Sequence, residues 1–249
     1  MGSKSRIAKY IVPIIQKYID ENNIQKYVEP FVGGANVIDK IKCTEKFGFD
    51  SNKYLIALLK HVKEKKPLYN EVSKELYDKA RNAFNMGITS EFEDWELGNI
   101  GFLASYNGRW FDGGYAKPGY EKTKNGSRFR DYYQESKSNL LTQAPNLTDI
   151  YFGCSDYKDS IDLSYDSGMV IYCDPPYQYT KQYANAMVFD YNEFWKIMRD
   201  WSKNNIVLIS EQNAPDDFEC IWEQEVSRSI KAKDKSKVTE KLFIYNGIS

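Results

Sequence analysis

Apolar residues recur at spacings of three and four near the start of the chain, at Ile7, Tyr10, Ile11, Ile14, Ile15, Tyr18 and Ile19. That period predicts an amphipathic helix over residues 5–21, disturbed at Pro13. QKYVEPFVGGANVIDKI then predicts a strand, a Gly-rich turn and a helix. KFGFD (46–50) reads as a short strand ending in Asp50, and SNKYLIALLKHVKEKK as a helix capped by Ser51 or Asn52. From 64 to 146 the texture changes. Amphipathic segments such as LYNEVSKELYDKARNAF lead into SYNGRWFDGGYAKPGYEKTKNGSRF, where glycines, aromatics and basic residues interleave. This predicts a helical insertion with a large functional loop. Beyond it, DIYFGCSDY and MVIYCDPPY predict strands. A helix follows over 191–204, with Phe194, Trp195, Ile197, Met198 and Trp201 as its apolar stripe, and then IVLISE (206–211) as a buried strand. CIWEQEVSRS and TEKLFIYN predict two more strands joined by a lysine-rich loop. Alternating strands and helices predict an α/β fold with a mainly parallel sheet covered on both faces. Residues 1–63 and 147–249 would form its main domain, and 64–146 the insertion.

Composition narrows this picture. The 249 residues suit one α/β domain with an insertion, and 42% hydrophobic against 28% charged residues is a globular balance. No apolar run reaches 18 residues and the N-terminus lacks a signal-peptide core, so no membrane span is expected and a cytoplasmic location is. A net charge of −1 excludes a globally basic nucleic-acid coat and leaves local clusters, KAKDKSK (231–237) and NGSRFR (125–130). Four cysteines without a CxxC pair argue against a zinc site or a disulfide framework and predict buried reduced thiols. The single histidine, His61, lies among Leu58, Leu59 and Val62. It excludes multi-His metal sites and reads as structural or solvated.

In open α/β sheets, ligands bind beyond the carboxyl ends of the strands. Two such ends carry chemistry here. Gly33 and Gly34 follow a strand directly, which allows close backbone approach to a ligand. Asp50 ends the next strand, 17 residues after Gly33, where one carboxylate can accept from both hydroxyls of a ribose. There is no GxGxxG phosphate cradle and no Walker lysine, which disfavours a dinucleotide oxidoreductase and favours a ribose-bearing cofactor without phosphate. In VIYCDPPY, a strand ends at Asp174, and Pro175 and Pro176 fix the backbone and supply no N–H. A carboxylate and a rigid carbonyl beside the ring of Tyr177 suit a planar group with an exocyclic amine.

These residues resemble the Dam-type (D12 class, alpha-order) DNA adenine-N6 methyltransferase family. DPPY (174–177) is similar to its catalytic tetrapeptide, EPFVGGANV (29–37) to its cofactor loop, and FDSNKYLI (49–56) to its acidic strand end. GSK (2–4), CSDYKDSI (154–161) and VSRSIKAKDKSKVTEKLFIYN (226–246) resemble further motifs, all in the family's order. The resemblance implies a Rossmann-like methyltransferase fold with a mixed, mostly parallel seven-stranded sheet and a helical target-recognition insertion. It implies S-adenosyl-L-methionine as methyl donor, S-adenosyl-L-homocysteine as product, no metal, double-stranded DNA as partner, no membrane and no obligate protein partner. Lys4, Phe31, Gly33, Gly34, Asp50, Asp156, Tyr157 and Asp174 would surround the cofactor, and Asp174, Pro175, Pro176 and Tyr177 would carry catalysis. Arg109, Lys117, Arg128 and Arg130, with Lys231, Lys233, Lys235 and Lys237, would meet DNA. NGRWFDGGYAKPG departs from the members that read GATC, so the target word stays open. RNA adenine, the N4 amine of cytosine and a non-catalytic DNA-binding role are the alternatives.

Overall fold

A computed structural model describes residues 4–123, 126–162, 167–177, 189–231 and 234–247. In chain order the elements are α1 (Ala8–Glu21), β1 (Lys26–Glu29), β2 (Glu45–Asp50), α2 (Lys53–Lys63), α3 (Lys74–Met86), α4 (Asp94–Gly98), β3 (Gly119–Thr123), β4 (Gly126–Arg130), α5 (Tyr132–Gln143), β5 (Ile150–Cys154), β6 (Val170–Cys173), α6 (Tyr191–Trp201), β7 (Ile206–Glu211), β8 (Phe218–Lys231) and β9 (Asp234–Tyr245). Seven strands form one sheet in the order β5-β2-β1-β6-β7-β9-β8. The first five are parallel, and β9 runs antiparallel to both of its neighbours. This is the mixed, mostly parallel sheet expected.

The two-residue pleat of the strands sorts their side chains between two cores. Tyr27, Val170, Tyr172, Leu208 and Leu242 pack with α1 and α2 on one face. Val28, Ile171, Cys173, Val207, Ile209 and Phe243 pack with α6 on the other. The helices α3 to α5 bury Tyr77, Ala80, Leu97, Tyr133 and Leu140 in the same cluster as Leu58 and Leu59 of α2. Gly98 permits this approach, because a Cβ there would meet the Tyr54 carbonyl at 2.2 Å. His61 is buried, its Nε2 lies 2.9 Å from the Pro67 carbonyl, and its ring stacks on Trp95. Its role there is structural.

Several expectations need correction. The helix expected over 5–21 forms as α1 and runs through Pro13 without interruption. Pro13 sits on the exposed side, so the hydrogen bond it cannot donate is lost away from the core. After the Gly-rich turn no α-helix forms, only a 3₁₀ turn over Ile38–Lys40. Gln16 of α1 explains this: its side chain accepts from the Lys42 N–H and donates to the Lys42 carbonyl, both at 2.9 Å. Backbone groups that would continue a helix are thus held extended. The lysine-rich loop is also shorter than predicted, since β8 runs to Lys231 and β9 starts at Asp234, with those residues paired. Finally, all four cysteines are free, but only Cys173 is buried; Cys154 and Cys220 are exposed. Both stand on the edge strands β5 and β8 of the sheet, where alternate side chains face outward.

Candidate active site

The chain leaves β1 for β2 and β5 on one side, and later builds β6 and β7 on the other. The sheet therefore reverses its direction of growth between β1 and β6, and ligand sites form at such switch points. Glu29 ends β1 there, Asp174 follows the last residue of β6, and Asp50 ends the neighbouring β2.

Short backbone contacts stitch these ends together. The Val32 N–H donates to the Phe49 carbonyl at 2.8 Å, laying the Gly-rich loop across the end of β2, and the Ser155 N–H donates to the Asp50 carbonyl at 3.2 Å. The Asp50 carboxylate accepts from the Gly33 N–H at 3.1 Å and the Asn52 N–H at 2.9 Å. Burial raises its pKa, and these two N–H groups oppose the rise by favouring the charged form. Gly33 has φ +50°, which glycine adopts without strain, and the space where a Cβ would stand is open. Ala35 takes φ 55° without being glycine. Its carbonyl and that of Gly34 accept from Gln143 Nε2, at 2.8 and 3.1 Å. The last residue of α5 thus braces the loop, a contact with no signal in the sequence.

Phe31 and Tyr157 stack at 5.0 Å between ring centres, with Phe194 at their edges. Asp156 is exposed and accepts from the Lys158 N–H at 3.0 Å. Ser155 Oγ, one residue before Asp156, is buried and has no hydrogen-bond partner among the described residues. An aromatic wall, an orphaned hydroxyl, an open glycine cradle and carboxylates at Asp50 and Asp156 fit the polar ribose, flat adenine and positive sulfonium of S-adenosylmethionine. Beneath the loop, Glu29 is buried and accepts from the Tyr27 hydroxyl at 2.7 Å. Burial holds its pKa well above the usual carboxylate range, partly offset by that hydroxyl.

Around Asp174 a second cluster forms. Lys4 Nζ lies 3.1 Å from Asp174 Oδ1 and 3.0 Å from Glu240 Oε2, and it also donates to the Tyr177 hydroxyl. It stands 4.5 Å from the centre of the Tyr177 ring, which is 8% exposed. Lys4 thus meets Asp174 and Tyr177 of the DPPY tetrapeptide directly; Gly2 and Ser3 lie outside the described residues. Burial raises the pKa of Asp174, Lys4 pulls it back, and Glu240 adds to the rise. Tyr191 donates its hydroxyl to the Pro176 carbonyl at 2.5 Å. The Pro175 carbonyl accepts no hydrogen bond among the described residues.

The candidate DNA contacts are more dispersed. Arg109 and Lys117 are exposed and make no ion pair among the described residues. Arg128 and Arg130 both pair with Glu135, at 3.4 and 2.9 Å, and Arg130 packs over the Tyr132 ring. Lys233 and the side chains of Lys231, Lys235 and Lys237 lie outside the described part.

A mixed, mostly parallel sheet of this order, with acidic strand ends around a Gly-rich loop, is the Rossmann-like architecture expected of a methyltransferase. Over residues 1–205 the chain matches the D12 class N6 adenine-specific DNA methyltransferases, and it belongs to that family. Membership makes it an enzyme, a methyltransferase of DNA adenine. It is 29% identical to the type II methyltransferase M.MjaIII of Methanocaldococcus jannaschii over 221 residues, which cover 77% of this chain and 73% of that protein. It is 29% identical to the DNA adenine methylase of Salmonella typhi over 182 residues, 67% of this chain and 61% of that protein. Among solved structures it is similar to the rRNA methyltransferase aviRa of Streptomyces viridochromogenes, with TM-score 0.44 and 8% identity over 97% of this chain and 84% of that one.

Proposed function

We propose that this protein methylates the N6 amine of an adenine turned out of duplex DNA, with Asp174 and the Pro175 carbonyl receiving the two amine hydrogens. The observation that carries this reading is the placement of Asp174 at the switch point, beside the loop that Asp50 anchors. S-adenosylmethionine, when bound, supplies an electrophilic methyl on a sulfonium centre. Phe31, Gly33, Gly34, Asp50, Asp156 and Tyr157 would hold it.

Adenine's amine is a weak nucleophile because its lone pair is delocalised into the ring. Two acceptors at fixed positions favour a pyramidal nitrogen and stabilise the positive charge that grows during attack. Asp174 must be charged to do this, and Lys4 favours that form against burial. Pro175 and Pro176 hold the carbonyl without offering a competing N–H. Holding both reactants at one strand end removes much of the entropic barrier. A base inside a duplex cannot reach this strand end, so it must leave the stack at a cost of about a few kcal/mol. The ring of Tyr177 is placed to offset part of that. Arg109 and Lys117, without ion pairs among the described residues, would meet the phosphates.

Asp174→Ala tests the reading. Labelled methyl transfer to duplex DNA should fall by about 10²–10³-fold, with nucleoside mass spectrometry identifying N6-methyladenine as the wild-type product. Transfer near the wild-type rate would overturn the role of Asp174. N4-methylcytosine, or a preference for RNA, would overturn the acceptor.

A further inference from the structure

Glu240 has no part in the amine capture just described, yet it touches the machinery at two points. It stands on β9, outside the 1–205 match to the family, and is 7% exposed. Its Oε2 accepts from the Tyr177 hydroxyl at 2.6 Å and from Lys4 Nζ at 3.0 Å, while the same Nζ lies 3.1 Å from Asp174. One cation therefore serves two carboxylates, and the hydroxyl of the catalytic tyrosine is tied to the second of them.

An ammonium paired with Asp174 alone, in a poorly solvated pocket, would bind it tightly and occupy the acceptor that the adenine amine needs. A second carboxylate changes that balance. It gives Lys4 another partner to move onto when the amine arrives. It also leaves the trio of Lys4, Asp174 and Glu240 with one negative charge in excess, which favours a reaction in which a nitrogen becomes positive. We propose that Glu240 is a positioning residue for methyl transfer, one that draws Lys4 away from exclusive pairing with Asp174 and fixes the Tyr177 ring. The inference rests on the acceptor role of Asp174.

Charge and shape separate in two substitutions. Glu240→Gln keeps an oxygen for the Tyr177 hydroxyl and fills the same space but removes the charge. Glu240→Asp keeps the charge and leaves a small void. With folding checked by circular dichroism, Glu240→Gln should lower kcat by about tenfold to a hundredfold, the scale of one charge-assisted hydrogen bond, while the KM for S-adenosylmethionine stays within about twofold. Glu240→Asp should retain more kcat than Glu240→Gln. In a Lys4→Met background, Glu240→Gln should have little further effect on kcat, because partners in one network are not additive. A kcat for Glu240→Gln near wild type, an Asp variant slower than the Gln variant, or additive losses would each overturn the proposal. If Glu240→Gln does not fold, Glu240→Asp decides, and a folded Asp variant slower than wild type by more than about tenfold would overturn it. A wild-type protein that makes no N6-methyladenine would instead overturn the adenine reading, so the two failures are distinct.

Discussion

Burial sets the behaviour of individual carboxylates at this site. Asp174 and Glu29 both carry raised pKa values, with desolvation as the leading cause. For a carboxyl of this kind the unfolded chain has released its proton by about pH 4, while the folded protein holds it longer. Stability therefore falls as pH rises from the unfolded pKa to the folded one. Glu29→Gln mimics the neutral form and keeps an acceptor for the Tyr27 hydroxyl. It should raise unfolding stability by on the order of 1 kcal/mol at neutral pH and flatten its pH dependence, read from urea titrations across pH 4–8. The acceptor role proposed for Asp174 sets the opposite sense for activity, because that role requires the charged form. The acid limb of the kcat profile should therefore lie above about pH 4, the ordinary aspartate value, and single-turnover rates against pH would show it. A limb at or below that value would contradict the shift.

Elements matter here through what they hold in place. The Gly-rich loop after β1 includes Ala35 at φ 55°, a conformation that costs a non-glycine residue on the order of 1–3 kcal/mol unless its surroundings impose it. Gln143, at the end of α5, supplies part of that restraint with its two bonds to the loop carbonyls. Gln143→Ala should weaken S-adenosylmethionine binding by about tenfold, the loss of one to two hydrogen bonds, with the circular dichroism spectrum unchanged. Isothermal titration would measure it, and an unchanged affinity would show that the loop needs no brace. The same contact links the helix that follows β4 to the Gly-rich loop.

Across the whole molecule the net charge is only −1, so any attraction for DNA must come from local groups. Arg128 and Arg130 are committed to Glu135, whereas Arg109 and Lys117 are exposed without ion pairs among the described residues. Replacing Arg109 and Lys117 together by alanine should weaken duplex binding and lower the slope of log affinity against log salt by about 2. Arg130→Ala should change that slope less and lower thermal stability instead, by about 0.5–1 kcal/mol for a partly exposed ion-pair network. Fluorescence anisotropy over a salt series would separate the two. Equal slopes for both variants would mean that internal pairing does not decide which arginines serve DNA.

Much of this protein was legible in one dimension. A continuous apolar run located β7 at 206–211 and helical spacing located the apolar stripe of α6, while α2 was legible with Ser51 or Asn52 as its cap, of which the structure uses Asn52, because in each the core face is continuous within one segment. The places of Gly33, Asp50 and Asp174 beyond the strand ends were legible as well, since apolar runs that stop at a carboxylate or a glycine pair mark where a strand leaves the core. What the sequence could not decide depended on partners remote in the chain. Gln16 converts an expected helix into a 3₁₀ turn by binding Lys42, and Gln143 reaches a loop more than a hundred residues away. Glu240 shares a strand face with the buried Leu242, a pattern that marks an inward carboxylate, yet its partners Lys4 and Tyr177 come from the other end of the chain and from the turn after β6. Local composition determines which residues form an element and which of them face inward. Only the packing of those elements decides which charges meet, because their separation in sequence carries no information about their separation in space.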